Sequence, residues 1–134
     1  MDEQFSHKKF IFNEKIDRAF LNSLYEDDFP YIEEVFHTTL ENFPEDIGEI
    51  QSAFNSKDIV ALKKAVHKIK PVFGFTGLLR AQELSQQFEN ACLNADSINQ
   101  IQPQYELLIS VIDESRTIIE SDYKKLKEYN ASSI

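Results

Sequence analysis

The sequence predicts an all-α protein, an antiparallel four-helix bundle with an additional short N-terminal helix. Apolar residues recur at three-to-four spacing along most of the chain, the signature of helices with one buried face. Only 3 glycines and 4 prolines occur in 134 residues, too few for a turn-rich β protein. The polar connections between periodic stretches are short, which favours antiparallel packing of successive helices. A chain of this length suits one domain and buries roughly two thirds of its extended-chain surface, enough for a core without staples. The expected organisation is an N-terminal extension over residues 1–12 and a single domain over 13–130.

Each element has its own signal. In the extension, Phe5, Phe10 and Phe12 are placed to pack across an open end of the bundle. A first helix is expected from about Asn13 to Glu26, with Ile16, Phe20, Leu21 and Leu24 on one face and Asn13 or Asp17 as its cap. A second begins at Asp28, with Pro30 in its first turn, and carries Ile32, Val35, Phe36, Leu40 and Phe43. The rhythm resumes beyond Pro44 with Ile47, Ile50, Ala53 and Phe54, so one long helix kinked at Pro44 is expected. After a connection capped by Asn55 or Ser56, a third runs from about Lys57 and ends between Phe73 and Gly77, where Gly77 supplies the left-handed residue. A fourth, Gly77 to Asn94, is marked by Leu78, Ala81, Leu84, Phe88, Ala91 and Cys92. The last, Ile101 to Tyr129, has Pro103 in its first turn, a seam of Tyr105, Leu108, Ile112, Ile119 and Leu126, and Leu107, Val111 and Ile118 widening the face.

Composition removes several function classes. With 14 basic against 23 acidic residues the net charge is −9, which opposes nucleic acid and anionic membrane surfaces. Cys92 is the single cysteine, so neither an intrachain disulfide nor a cysteine metal cage is available. No apolar stretch approaches membrane-span length, and the first ten residues lack a signal-peptide core. A cytoplasmic monomer is expected, and Met1 suggests a complete small protein.

The stretch Val66 to Gly77, VHKIKPVFGFTG, breaks local rules. Leu62, Val66, Ile69 and Phe73 form its buried face; His67, Lys70, Pro71 and Gly74 form a neighbouring stripe. Inside a helix, Pro costs about 3 kcal/mol and Gly about 1 kcal/mol relative to Ala, and such costs without evident structural return mark function. Pro71 and Gly74 leave room for another macromolecule, while Lys70 places an ammonium one turn from the imidazole. A neutral imidazole has one nitrogen free to act as a nucleophile. The competing reading is a surface histidine without a task.

Other candidates carry less. Lys63 and Lys64 read as a solvated face, Lys68 as a charge attracting an anionic partner, and Arg80 as a rim residue. Glu34 and His37 form an ExxH pair, but a carboxylate-bridged two-metal bundle needs a second such pair, which is absent. A small metal-binding bundle thus stands as the weaker alternative, with no metal ligand assigned. His7 has no convincing partner. No glycine-rich phosphate loop or nucleophile elbow appears, so a phosphoryl group is expected to arrive on another protein.

The order His67, Lys70, Pro71, Gly77 resembles the signature of the histidine-containing phosphotransfer domains of bacterial and eukaryotic phosphorelays. The resemblance extends over about residues 28 to 126, including Phe36 to Pro44, Asp58, Leu62, Leu84, Phe88 and Glu89. It implies that His67 accepts a phosphoryl group through Nε2 from a receiver-domain aspartate and passes it to another receiver aspartate. It further implies that Lys70 steadies the phosphoryl oxygens, Pro71 and Gly74 leave room for the receiver's loops, and Gly77 permits the turn. The implied partners are response-regulator receiver domains and a hybrid sensor histidine kinase. No intrinsic cofactor is implied; a divalent cation such as Mg2+ belongs to the receiver. Whether such a carrier is an enzyme is partly convention, since no ATP-dependent kinase activity is implied.

Several positions depart from the family pattern. Val72 and Phe73 stand where relatives carry small or hydroxylated residues, with Phe73 read as core and Phe75 as an apolar docking contact beside Phe20 or Leu24. Glu89 stands where some relatives have glutamine and reads as poor company for a phosphate, with Gln82 or Gln86 as substitutes. A receiver-binding adaptor with little phosphotransfer therefore stays open.

Overall fold

A computed structural model describes residues 10–132. Its helices are α1 (Arg18–Tyr25), α2 (Phe29–Asn55), α3 (Ile59–Phe75), α4 (Leu79–Asn94) and α5 (Gln102–Ser132), with a 3-10 turn over Ile98–Ile101 before α5. There is no strand among the described residues. Helices α2 to α5 form the expected bundle, α3 packing between α2 and α4 and α5 closing the ring against α4 and α2. Helix α1 is the short additional element.

The interior follows the predicted stripes. Phe36, Phe43 and Ile50 of α2 meet Leu62, Val66, Ile69 and Phe73 of α3, all fully buried. From α5, Leu108, Ile112, Ile119 and Leu126 complete the layers. Each such side chain contributes about 1.5–3 kcal/mol by leaving water, which outweighs the propensity cost of Pro44 and Pro71. Helix α2 runs unbroken through Pro44, which lies on its exposed face. Leu107 departs from its predicted face and is half exposed.

Helix starts show where the sequence misleads. Helix α1 begins at Arg18, not Asn13, because Asp17 is the cap, accepting from the Phe20 N–H at 2.9 Å. Asn13 is used elsewhere: its side chain accepts from the Lys15 N–H, and its own N–H donates to Asp122 Oδ2 at 2.7 Å. Helix α3 is capped by Asp58, not Asn55 or Ser56, through the Ala61 N–H. Lys57, expected to open α3, instead sits in the left-handed region at φ 58°. Asp28 caps α2 as expected.

Phe10 and Phe12 close one end of the bundle, packed edge to face at 4.7 Å, with Tyr129 and Phe29 beside them. Phe5 and His7 lie outside the described residues. No described helix is long and apolar enough to cross a membrane.

Asp122 anchors this N-terminal strap from inside the bundle. Burial pushes its carboxyl above the usual carboxylate range, and the Asn13 N–H and the Lys125 ammonium only partly oppose that. The native state therefore binds this proton more tightly than the unfolded chain does. Its stabilising contribution is complete below the unfolded value of about 4 and is lost as pH rises through the raised native value. Asp122→Asn keeps a carbonyl for Asn13 and removes the buried charge. Urea unfolding is expected to give the variant the higher midpoint at pH 7, with the difference shrinking toward pH 4. A lower midpoint at pH 7 would show that the ionised carboxylate is stabilising.

Candidate functional site

Helices α3 and α4 are joined by the tight turn Thr76–Leu78, in which Gly77 has φ 75°, a value that favours glycine. The turn sets an antiparallel register: Gly74 faces Gln82, Lys70 faces Gln86, and His67 faces Glu89. On each helix these positions lie three, four or seven residues apart, so they form two facing stripes.

His67 projects from the outer side of α3 with its side chain 69% exposed. Its Nδ1 lies 2.9 Å from Oε1 of Glu89, whose side chain is only 6% exposed. A carboxylate at that distance makes Nδ1 the donor, so a neutral ring carries its lone pair on Nε2, which has no partner among the described residues. The other carboxylate oxygen, Oε2, sits 2.8 Å from the Lys70 ammonium. Lys70 also donates to Gln86 Oε1 at 2.6 Å, and the Gln86 amide reaches Asn90. A buried carboxylate thus has an ammonium and an imidazole as its two ion-pair partners among the described residues.

The structure places Glu89 beside His67, and neither Gln82 nor Gln86 takes its place at the ring nitrogen. Glu89 lies on the Nδ1 side, beneath the ring, and leaves Nε2 clear. Gln86 touches Lys70 and not the ring. Gln82 covers Gly74, where an added Cβ would come within 2.7 Å of the glutamine Nε2. Gly74 is therefore buried under Gln82 and is not the bare strip the sequence suggested. Pro71 remains exposed, and its missing N–H leaves the His67 carbonyl without its usual helical donor.

Around this centre α3 is basic. Lys64 is exposed and Lys63 half-buried, whereas Lys68 is held by Glu49 at 2.9 Å and Asp46 at 3.7 Å. Arg80 is exposed at the start of α4. Cys92, one turn beyond Glu89, is buried; burial, reinforced by the Glu89 charge, pushes its thiol up to about 11, so it is chemically quiet.

A cleft opens where α1, α2 and α3 meet. Leu24 and Tyr25 of α1, Tyr31 and Val35 of α2, and Val72 and Phe75 of α3 line it. Leu24, Tyr31 and Phe75 are about half exposed, and Phe75 lies roughly 12 Å along α3 from His67. The Tyr25 hydroxyl donates to the Phe75 carbonyl at 2.8 Å and fixes α1 against α3. Phe73 is core, as expected, and Phe20 is only partly exposed.

His37 offers a contrast at the far end of the cleft. Its Nδ1 meets the Tyr123 hydroxyl at 3.1 Å and its Nε2 faces Glu41 at 3.4 Å, so both nitrogens are engaged. Glu34 lines the same cleft. No group of three or more His, Cys, Asp and Glu side chains placed to hold a metal occurs among the described residues.

A family model described as the Hpt domain matches residues 34–120. The chain belongs to the Hpt domain family. The Hpt role is histidine phosphotransfer in two-component phosphorelays, in which the partners are response-regulator receiver domains. The fold agrees: the crystal structure of the HPT domain from a sensor hybrid histidine kinase from Shewanella superposes with a TM-score of 0.72 at 16% identity. That match covers 83% of this chain and 95% of the other. No curated protein sequence matches this Hpt chain. The region matched by the family model includes His67, Lys70, Gly77 and Glu89, and also His37.

Proposed function

We propose that this Hpt protein is a cytoplasmic phosphorelay intermediate that accepts a phosphoryl group on His67 Nε2 from a receiver aspartate and passes it to another receiver. The observation that carries this reading is the exposed ring of His67, tethered at Nδ1 by buried Glu89. Among the described residues both ring nitrogens of His37 have partners and none of these is an ammonium, which favours His67 over it.

The chemistry follows from position. Transfer needs Nε2, phosphorus and the aspartyl oxygen in line, so docking does most of the catalytic work. Lys70 supplies positive charge beside the phosphoryl group. The divalent cation that neutralises an aspartyl phosphate belongs to the receiver. The cleft walls Leu24, Tyr31 and Phe75 supply apolar contact, and the basic flank of α3 meets an acidic receiver site. A hybrid sensor histidine kinase is the natural donor, and the phosphoryl group is carried without ATP turnover.

Phe75→Ala tests the docking surface. Titration with receiver domains that label the wild type is expected to show about tenfold weaker binding, since a central aromatic anchor is truncated. Unchanged affinity for every such receiver would remove the cleft from the interface. A panel of phosphorylated receivers tests the activity itself: binding without labelling would identify an adaptor.

A further inference from the structure

Lys70 is expected at the phosphoryl group, yet it is also the ammonium counter-ion of buried Glu89. It is 2.8 Å from Glu89 Oε2 and 2.6 Å from Gln86 Oε1, with its side chain only 18% exposed. Withdrawing it toward a phosphoryl group would strand a buried carboxylate, which is strongly unfavourable. The same carboxylate, however, faces the imidazole through its other oxygen.

We propose that Glu89 is a positioning residue that exchanges counter-ions during transfer, holding Lys70 when His67 is empty and the phosphorylated ring when it is loaded. The inference rests on the phosphotransfer reading above. In the empty state Glu89 fixes the Nδ1–H tautomer and Lys70 balances its charge. On transfer the Nε2 lone pair forms the P–N bond while the P–O bond to the receiver aspartate breaks, its electron pair leaving on that carboxylate. The Nδ1 proton stays in place, so the ring becomes a phosphorylated imidazolium bearing one positive charge. That charge arises 2.9 Å from Glu89, at the end of the existing hydrogen bond. It replaces Lys70 as counter-ion and frees the ammonium for the phosphoryl oxygens.

The return step is the same exchange reversed. An aspartate oxygen of the next receiver attacks phosphorus, the P–N electron pair returns to Nε2, and the ring departs as neutral imidazole. Lys70 then returns to Glu89. No proton enters or leaves in either direction, and the buried carboxylate has a cation throughout. A neutral amide in place of Glu89 lacks the charge for this exchange.

The experiment is nitrogen-resolved NMR of the His67 ring and the Lys70 side chain, before and after loading from a phosphorylated receiver domain, with transfer rates measured alongside. The empty wild type is expected to show a pyrrole-type Nδ1 and a pyridine-type Nε2. Loading should leave the Nδ1 proton in place and shift the Lys70 resonances. Glu89→Gln is expected to admit the Nε2–H tautomer and slow loading about tenfold or more. Glu89→Asp, which restores charge with a shorter reach, should recover part of that loss. Wild type that loads while its Lys70 resonances stay fixed overturns the exchange and leaves the functional reading intact, as does Glu89→Gln loading at the wild-type rate. Wild type that takes no phosphoryl group on His67 overturns the functional reading itself. Should Glu89→Gln fail to fold, the wild-type resonances alone decide.

Discussion

His67→Gln is expected to lower phosphoryl uptake from receivers by roughly a thousandfold or more, because it removes the nucleophile. Its fold should survive. The side chain is 69% exposed and Glu89 retains Lys70, so unfolding should change by only about 0.5 kcal/mol. Receiver binding should persist, since the cleft around Phe75 is untouched. Retained labelling would move the chemistry to another residue. A large loss of stability would instead mark His67 as structural and weaken its assignment as acceptor.

Gly77→Ala should have the largest effect on stability. Gly77 has φ 75°, and an added Cβ would stand 3.0 Å from both Ile16 and Leu21. The left-handed backbone costs about 1–2 kcal/mol for an ordinary residue, and overpacking adds about 1–3 kcal/mol. Its carbonyl also accepts from the Asp17 N–H at 2.9 Å, which seats the start of α1 on the turn between α3 and α4. A total loss of about 2–5 kcal/mol is expected in urea unfolding, with weaker receiver binding as Leu24 and Tyr25 shift. An unchanged midpoint would show that α1 yields at little cost and that the turn does not set the cleft.

The bundle was legible because helix periodicity is a local property. Leu62, Val66, Ile69 and Phe73 declare their common face within twelve residues, and the structure buries all four completely. Caps were less legible, because Asn55, Ser56 and Asp58 carry equivalent side-chain acceptors within four residues. In the structure Lys57 is left-handed and the Ala61 N–H donates to Asp58. Asn13 misled for a different reason: its decisive partner, Asp122, is 109 residues away.

The site divided along the same line. His67, Lys70 and Gly77 lie on one stretch, and their spacing suffices to single them out. The contact of Glu89 with the His67 ring depends on register across the hairpin. Folding the sequence about the Gly77 turn sets position 89 opposite 67 and 86 opposite 70, a signal present in the sequence once the turn is fixed. Gln82 over Gly74 belongs to the same register. The cleft draws on four helices, with Tyr123 of α5 beside α1, α2 and α3, and Tyr25, Tyr31, Val35 and Val72 enter it only through tertiary packing.

Phosphorus–nitrogen correlation NMR on protein loaded from a receiver domain locates the phosphoryl group directly, at Nε2 of His67 or elsewhere. The expected result is a single acid-labile phosphoryl group coupled to Nε2 of His67, with the proton retained on Nδ1. Coupling to Nδ1, or a phosphoryl group on His37 or on an oxygen, would contradict it.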